Sequence, residues 1–383
     1  MKAIVIGSGI GGLSAAIALR RVGIEAVVFE RARELREIGA GLSLMANATR
    51  ALNGMGLAGA LRGMGETIGV AEVRAWRGDL LSRVPAWRIT EKVGARSAAV
   101  HRADLQAALV RELGDEGVRL GAACEGFEQD DGGVRAFFAD GTEERADLLV
   151  GADGLRSTVR KGLLGDGNPR YAGYTAWRAV VSPREGLVPA GEAVEVWGRG
   201  VRFIRAGIGR GRVYWAVAKN APEGERDGSG GAAKATLLGL CAGWLEPVEE
   251  LISATDEAAI LRTDIYDRDP LPKRWGRGRA TLLGDAAHPM TPDMGQGACQ
   301  AIEDAEALAG CLAERRNNVE AALELYEARR TRRTAAIVRG SRRMARIAQL
   351  QNPLACRLRD NALKALPDRV QMRQLEEMVG SPG

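Results

Sequence analysis

The chain has 383 residues, 46% of them hydrophobic and 27% charged, with a net charge of +5. That length favours two domains or one elaborated domain, and the composition is that of a folded globular protein. No apolar run reaches the ~18 residues of a membrane span, and five scattered cysteines without a CxxC pair read as reduced thiols, neither a disulfide framework nor a metal site.

In chain order, Ala3-Ile4-Val5-Ile6 is a continuous apolar run of the kind found in buried parallel sheets. It opens the chain with no leader ahead of it, so a cytoplasmic protein is expected. Gly11 to Arg21 has helical periodicity and Glu25 to Phe29 is a second buried strand, which together predict a βαβ unit with a right-handed crossover. Residues 67–95 alternate and are rich in Val and Trp, predicting antiparallel strands. Arg102 to Leu113 reads as a helix, and Asp147-Leu148-Leu149-Val150 as another short buried strand. Residues 171–219 predict more antiparallel strands, at Tyr171–Val181, Ala193–Trp197 and Arg212–Ala218. Residues 220–233 form a polar glycine-rich loop, Ala280 to Leu283 a strand, Gly297 to Leu312 a helix, and the tail from Glu320 is mostly helical. Eight arginines between Arg329 and Arg346, with no acid among them, raise the question of a nucleic-acid or membrane surface. Ala335, Val338, Met344 and Ile347 supply an apolar side at helical spacing, and no aromatic residue interleaves, so a solvated helix face is the better reading. No nucleic-acid partner and no stable membrane insertion are expected.

The chemistry is carried by three stretches. Gly7-Ser8-Gly9-Ile10-Gly11-Gly12 fits GxGxxG through Gly7, Gly9 and Gly12, between a strand and a helix. The first glycine makes the turn, the second admits a pyrophosphate to the backbone, and the third lets helix and sheet pack. Glu30 ends the next strand at the interval of a ribose-binding carboxylate. The motif alone leaves FAD and NAD open. The second stretch is Asp147–Arg160, DLLVGADGLRSTVR, and the third Arg279–Ala305, RATLLGDAAHPMTPDMGQGACQAIEDA. In the third, Asp285 ends a buried strand, where its carboxylate can accept hydrogen bonds from a ligand's hydroxyls. Gly295, Gln296, Gly297 and Ala298 open a helix whose unpaired N–H groups and positive end suit a ligand's electron-rich edge. His288 before Pro289 is either an acid–base group or, more simply, a structural histidine.

Taken in order with Val100-His101-Arg102, these stretches resemble the single-component flavoprotein aromatic hydroxylases, the p-hydroxybenzoate hydroxylase-like group. The second stretch matches that family's DG motif, and Gly284-Asp285 its GD motif. Thr291–Gly297 and Arg170–Trp177 are most similar to bacterial urate hydroxylase and zeaxanthin epoxidase-type enzymes. The resemblance implies FAD, with NADH or NADPH as co-substrate and O₂ as oxidant. It implies insertion of one oxygen atom into a small aromatic or heterocyclic substrate by way of a flavin C4a-hydroperoxide. It places Glu30 and Arg31 at the adenosine ribose, and Ser43, Arg102 and the Cys124 backbone along FAD. Asp153 would hold the cofactor and shape the nicotinamide approach. Arg202 and Tyr214 match substrate-contacting positions of urate hydroxylase; an arginine suits an anionic substrate, and a tyrosine orients it or relays a proton. Ala176 stands where urate hydroxylase is expected to carry an amide, a departure from the urate pattern. A same-fold epoxidase of an alkene or polyene, and a non-catalytic FAD- or prenyl-binding protein, remain alternatives.

The expected architecture is α/β: a Rossmann-like FAD-binding domain, discontinuous over 1–70, 96–170 and 273–330, with an inserted β-rich substrate domain over 71–95 and 171–272. C-terminal helices follow over 331–383. The oligomeric state is left open by the sequence.

Overall fold

Four short strands with buried, apolar interiors and a more exposed edge strand form an all-parallel sheet in the order Ala280–Leu282, Leu148–Gly151, Lys2–Ile6, Glu25–Glu30, Val118–Leu120, the last being the edge. The four buried strands are covered on both faces, which is why they read as continuous hydrophobic runs. The computed structural model describes residues 1–35, 40–165, 167–227, 233–271 and 274–380. The helix Ile10–Arg21 crosses from the first strand to the second, as the sequence predicts, and packs against the helix Gly297–Glu314. Gly11 permits that packing: a Cβ there would stand 2.8 Å from Leu283 Cδ2 and 2.9 Å from Ala301 Cβ.

A seven-stranded sheet stands beside this unit, in the order Leu261–Asp267, Arg170–Val181, Val213–Asn220, Val201–Gly207, Glu192–Trp197, Val70–Ala75, Leu80–Val84. Its alternation sorts residues to two faces. Trp177, Phe203, Trp215 and Val217 lie on one face. They are packed under Leu237 of the helix Ala233–Leu240 and under Leu251 and Ile252 of the helix Val248–Ala254. Burial of each such side chain contributes about 1.5–3 kcal/mol. On the other face, register aligns Arg202 with Ala218 and Ala218 with Ala176, while Tyr214 lies between Ala206 and Val180. Two small antiparallel sheets complete the β structure: Glu143–Ala146, Gly133–Phe138, Cys124–Asp130, and Gly41–Leu44, Ala98–His101, Glu66–Thr67.

The α/β class with a β-rich second sheet and C-terminal helices is as the sequence predicts, but three local expectations need correction. Residues 67–95 are not all strand: Trp87–Val93 is a short helix. Val70–Ala75 pairs parallel, not antiparallel, with Glu192–Trp197. The arginine-rich segment is part of the helix Val319–Ala348, continuous through residue 331, and several of its arginines point inward. Arg330 is fully buried, Arg333 reaches Glu303 at 2.9 Å, and Arg342 pairs with Asp267. Met344 and Ile347, expected on the apolar side, are exposed; Val338, Ser341 and Ala345 take the inward positions. This helix clasps both sheets. Tyr326 Oη donates to Leu282 O at 3.0 Å and Ser341 Oγ to Thr291 O at 2.6 Å. Part of the glycine-rich stretch, residues 228–232, and the expected boundary at 272/273 lie outside the described residues.

Candidate active site

The glycine turn is shaped by close approach of backbone. Gly7 sits at φ +104°, and a Cβ there would stand 2.5 Å from Ala152 O; a Cβ on Gly12 would stand 2.0 Å from Gly7 O. Among the described residues, no atom other than those of its chain neighbours lies within 4 Å of a Cβ built on Gly9, which caps the helix Ile10–Arg21 with no side-chain cap. Room at Gly9 and uncapped N–H groups beside it make an anion cradle. Glu30 is tied to this turn, accepting from Ser8 N at 2.9 Å, Ser8 Oγ at 2.8 Å and Ala32 N at 2.9 Å. Burial works against ionisation of Glu30, but those hydrogen bonds and the neighbouring Arg31 hold its carboxyl below the usual range. Arg31 itself is exposed at the strand's end.

Across the cleft, Asp285 accepts no hydrogen bond from protein among the described residues. Its residue surface is exposed. The protein mass around it nonetheless pushes its carboxyl up, against the fields of His288 and Arg102. Arg102, first residue of the helix Arg102–Leu113, is exposed and faces the same space. Gly297 opens the helix Gly297–Glu314 with no side-chain cap, and a Cβ on it would meet only Asp285 Oδ1, at 3.9 Å. Gly295, at φ +61°, stands over Ser43 and Met45. Ala298 is half-buried in the first helical turn. The uncapped helix start beside the unpartnered Asp285, and the open glycine turn whose Gly11 packs on Leu283 two residues before that aspartate, fit the FAD that the motifs imply. Glu30 suits the ribose, Gly9 the pyrophosphate, Asp285 the ribityl chain and the Gly297 amide end the pyrimidine.

Not every sequence candidate offers its side chain to the cleft. The Gln296 amide turns inward, accepting from Asn47 Nδ2 at 3.0 Å and Gln300 Nε2 at 2.8 Å, so only its backbone faces outward chemistry. Both Asp153 oxygens are committed to the start of the helix Thr158–Leu164, one accepting from Thr158 N at 2.7 Å and the other bonded to Ser157 Oγ. Asp153 therefore orders the turn that presses on Gly7. Cys124 Sγ turns back to Gly126 O at 3.5 Å and burial pushes its thiol up to about 11, leaving its backbone as the available part.

Behind the cleft is a buried polar network that sequence reading missed. His288 Nε2 lies 2.6 Å from Asp304 Oδ2; Asp304 also accepts from Gly284 N at 3.0 Å and Arg330 Nε at 2.7 Å. Arg330 bridges on to Glu303 at 2.7 Å and Gln300 Oε1 at 2.7 Å, and Glu303 to Asn47 at 2.9 Å. Burial opposes a charged Asp304, but His288 and Arg330 bring its carboxyl down to about 2. His288 is thus a structural histidine. The available signal was Gln300, Glu303 and Asp304 occupying the inward stripe of an otherwise apolar helix.

The sheet face opposite the cleft carries Arg202 and Tyr214. Arg202 is buried, donates to Glu195 Oε1 at 2.8 Å and is paired with Asp293, which also accepts from Tyr174 Oη at 2.7 Å. Desolvation alone would lower its basicity, but the two carboxylates outweigh that and hold the guanidinium charged. Tyr214 rests on the strand of Ser43: a Cβ on Gly41 would stand 2.3 Å from its Cγ. Its hydroxyl has no protein partner among the described residues, and burial pushes the phenol up, so it stays a proton donor. Ala176 is packed with Tyr174, Ala218 and Ala345.

A family model described as FAD binding domain matches residues 1–171 and 253–341. The chain is 43% identical over 383 residues to an aurachin C monooxygenase/isomerase of Stigmatella aurantiaca, covering 100% of this chain and 99% of that protein. It is 37% identical to an FAD-dependent urate hydroxylase of Mycolicibacterium vanbaalenii, covering 92% and 90%. The crystal structure of Klebsiella pneumoniae HpxO complexed with FAD and uric acid superposes with a TM-score of 0.93 at 33% identity, covering 99% of this chain and 96% of that one.

Proposed function

The chain belongs to the FAD-binding-domain family of single-component flavin monooxygenases, and from that premise we propose that it oxygenates a small, neutral aromatic or heterocyclic ring lying between Tyr214 and the Gly295–Gly297 turn. It is an FAD-dependent monooxygenase. Bound in the cleft, FAD supplies the two-electron and O₂ chemistry that side chains lack. NADH or NADPH is the electron donor in this reading. The chain's own residues do the positioning. Glu30, Gly9, Asp285 and the Gly297 amides hold the cofactor, with Arg31, Arg102 and Ser43 along its length. The seven-stranded sheet forms the substrate side, where Tyr214 donates a hydrogen bond to a ring oxygen or nitrogen.

The observation that carries this reading is the join between the two halves. Tyr214 lies on the backbone of the Ser43 strand, and Arg202 and Tyr174 grip Asp293, two residues before Gly295. A ring on the sheet face is therefore next to the turn that holds the flavin edge. Neutrality follows from charge: Arg202 already faces two carboxylates, so a third anion would be repelled more than attracted. The test is a panel of phenols and nitrogen heterocycles, each with a carboxylated analogue, reading nicotinamide oxidation and peroxide release together. Neutral members should stimulate oxidation with little peroxide. Stimulation by carboxylated analogues alone would overturn the substrate class, and no stimulation by any ring compound would overturn the proposed substrate site.

A further inference from the structure

Eight large apolar side chains are exposed among the described residues, and four of them flank one turn, residues 349–352. Met344 and Ile347 lie near the end of the helix Val319–Ala348. Leu354 and Leu358, 69% and 71% exposed, are one turn apart on the helix Pro353–Lys364. They are not displaced core residues, because the inward sides of both helices are filled. Ala345 and Ala348 are buried, and Arg359 stacks over Trp197 at 4.9 Å while donating to Ala348 O at 3.2 Å. Around the four apolar residues stand Arg339, Arg343, Arg346 and Arg357, exposed and in no ion pair among the described residues.

The occupant must cover leucines and neutralise arginines at once. A second copy meeting this patch about a twofold axis would set arginine against arginine. A nucleic acid would neutralise the charge but leave Leu354 and Leu358 in water. A bilayer of anionic phospholipid does both: the leucines enter the headgroup–acyl boundary and the guanidiniums sit among the phosphates. A second observation points the same way. A cavity of about 560 Å³ opens beside the turn, lined by Arg342, Arg346, Gln349 and Gln351, among others. Buried at the wall of this recess, Arg342 Nη2 and Gln349 Nε2 are two donors with no hydrogen-bond partner among the described residues, while Gln349 Oε1 is an unpaired acceptor. Among the described residues no helix is long and apolar enough to cross a membrane, so the proposed contact is peripheral.

We propose that the surface around residues 344–358 docks the enzyme on anionic phospholipid membranes, with a headgroup phosphate taken into the neighbouring cavity. The test is co-sedimentation of the FAD-loaded protein with phosphatidylcholine vesicles, with and without phosphatidylglycerol, at low and high salt. The parent should bind only the anionic vesicles and release in salt. Leu354→Asp/Leu358→Asp and, separately, Arg343→Glu/Arg346→Glu should each weaken binding roughly tenfold or more, with the flavin spectrum and melting temperature unchanged. The readout needs no substrate, so it stands or falls apart from the proposed reaction. A parent that stays in solution with anionic vesicles overturns the proposal. So does binding that both variants retain. A patch that instead mediates dimerisation, seen by sedimentation velocity and lost in the leucine variant, overturns it in favour of self-association. Protection of the cavity by inorganic phosphate without vesicle binding overturns it in favour of a free anion.

Discussion

Replacing Asp285 with alanine should separate cofactor binding from folding in one residue. The carboxylate is exposed and accepts no protein hydrogen bond among the described residues, and the surrounding protein pushes it up despite His288 and Arg102 nearby. Without cofactor no protein contact depends on it, so its removal should leave the apoprotein about as stable as the parent. With FAD, the variant loses charge-assisted hydrogen bonds worth about 1.5–3 kcal/mol, which is roughly a 10- to 150-fold weaker Kd. The assay is a pair of measurements: flavin fluorescence titration of apoprotein, and urea unfolding of the same apoprotein. Asp285→Asn should fall between, because an amide keeps the shape and loses the charge. Unchanged FAD affinity would refute the placement of the ribityl chain. An apoprotein destabilised by more than about 2 kcal/mol would show that Asp285 has a folding role this geometry lacks.

Gly9→Ala should fold normally and lose FAD, since its Cβ meets no protein atom. Gly12→Ala should fail earlier, in thermal stability, because its Cβ meets Gly7 O at 2.0 Å. Arg330→Met strands two buried carboxylates and should cost about 3–5 kcal/mol in urea unfolding; a loss under about 1 kcal/mol would contradict the network. Asp304 has its carboxyl depressed from 3.8 to about 2, so the stability it contributes, about 2 kcal/mol, is fully present above pH 4 and is lost as pH falls toward 2. A melting-temperature series over that range, parent against Asp304→Asn, should show the parent alone losing this increment. Tyr214→Phe removes a hydroxyl without a protein partner, so stability should hold while peroxide per nicotinamide consumed rises with a verified substrate.

The nucleotide-binding half was legible because its signals are local. Lys2–Ile6, Ile10–Arg21 and Glu25–Glu30 appear where periodicity puts them, and the helix Arg102–Leu113 begins and ends as read. The strand Val201–Gly207, which carries Arg202, falls within residues 171–219, read as antiparallel strands, but its bounds do not stand out in the sequence. Its two arginines are buried beside carboxylates of other elements, Glu195 of the neighbouring strand and the distant Asp293 for Arg202, and Glu192 for Arg205, so the alternation looks polar where it is inward. The helix Trp87–Val93 has no side-chain cap and only seven residues, which leaves nothing for a start signal to show. The inward turn of Arg330 was hidden for the same reason as Arg202. Its partners lie 26 and 27 positions earlier, on another helix, and charge content alone favours a solvated face.

The same long-range pairs explain how a cofactor turn made of glycines keeps its shape. Residues 292–297 include two glycines, Gly295 and Gly297, which have no side chains to fix them. They are held from both sides instead. Asp293 is bound to Arg202 and Tyr174 of the seven-stranded sheet, and the Gln296 amide is bound to Asn47 and Gln300 beneath. A buried ion pair of this kind adds little net stability, since desolvation offsets much of the attraction. Its effect is positional: it fixes where the Gly297 amide groups stand before any ligand arrives, so that binding need not order them. It also ties the turn to the sheet, so replacing Arg202 should disturb the Gly297 amide groups through Asp293, whether or not Arg202 meets the substrate.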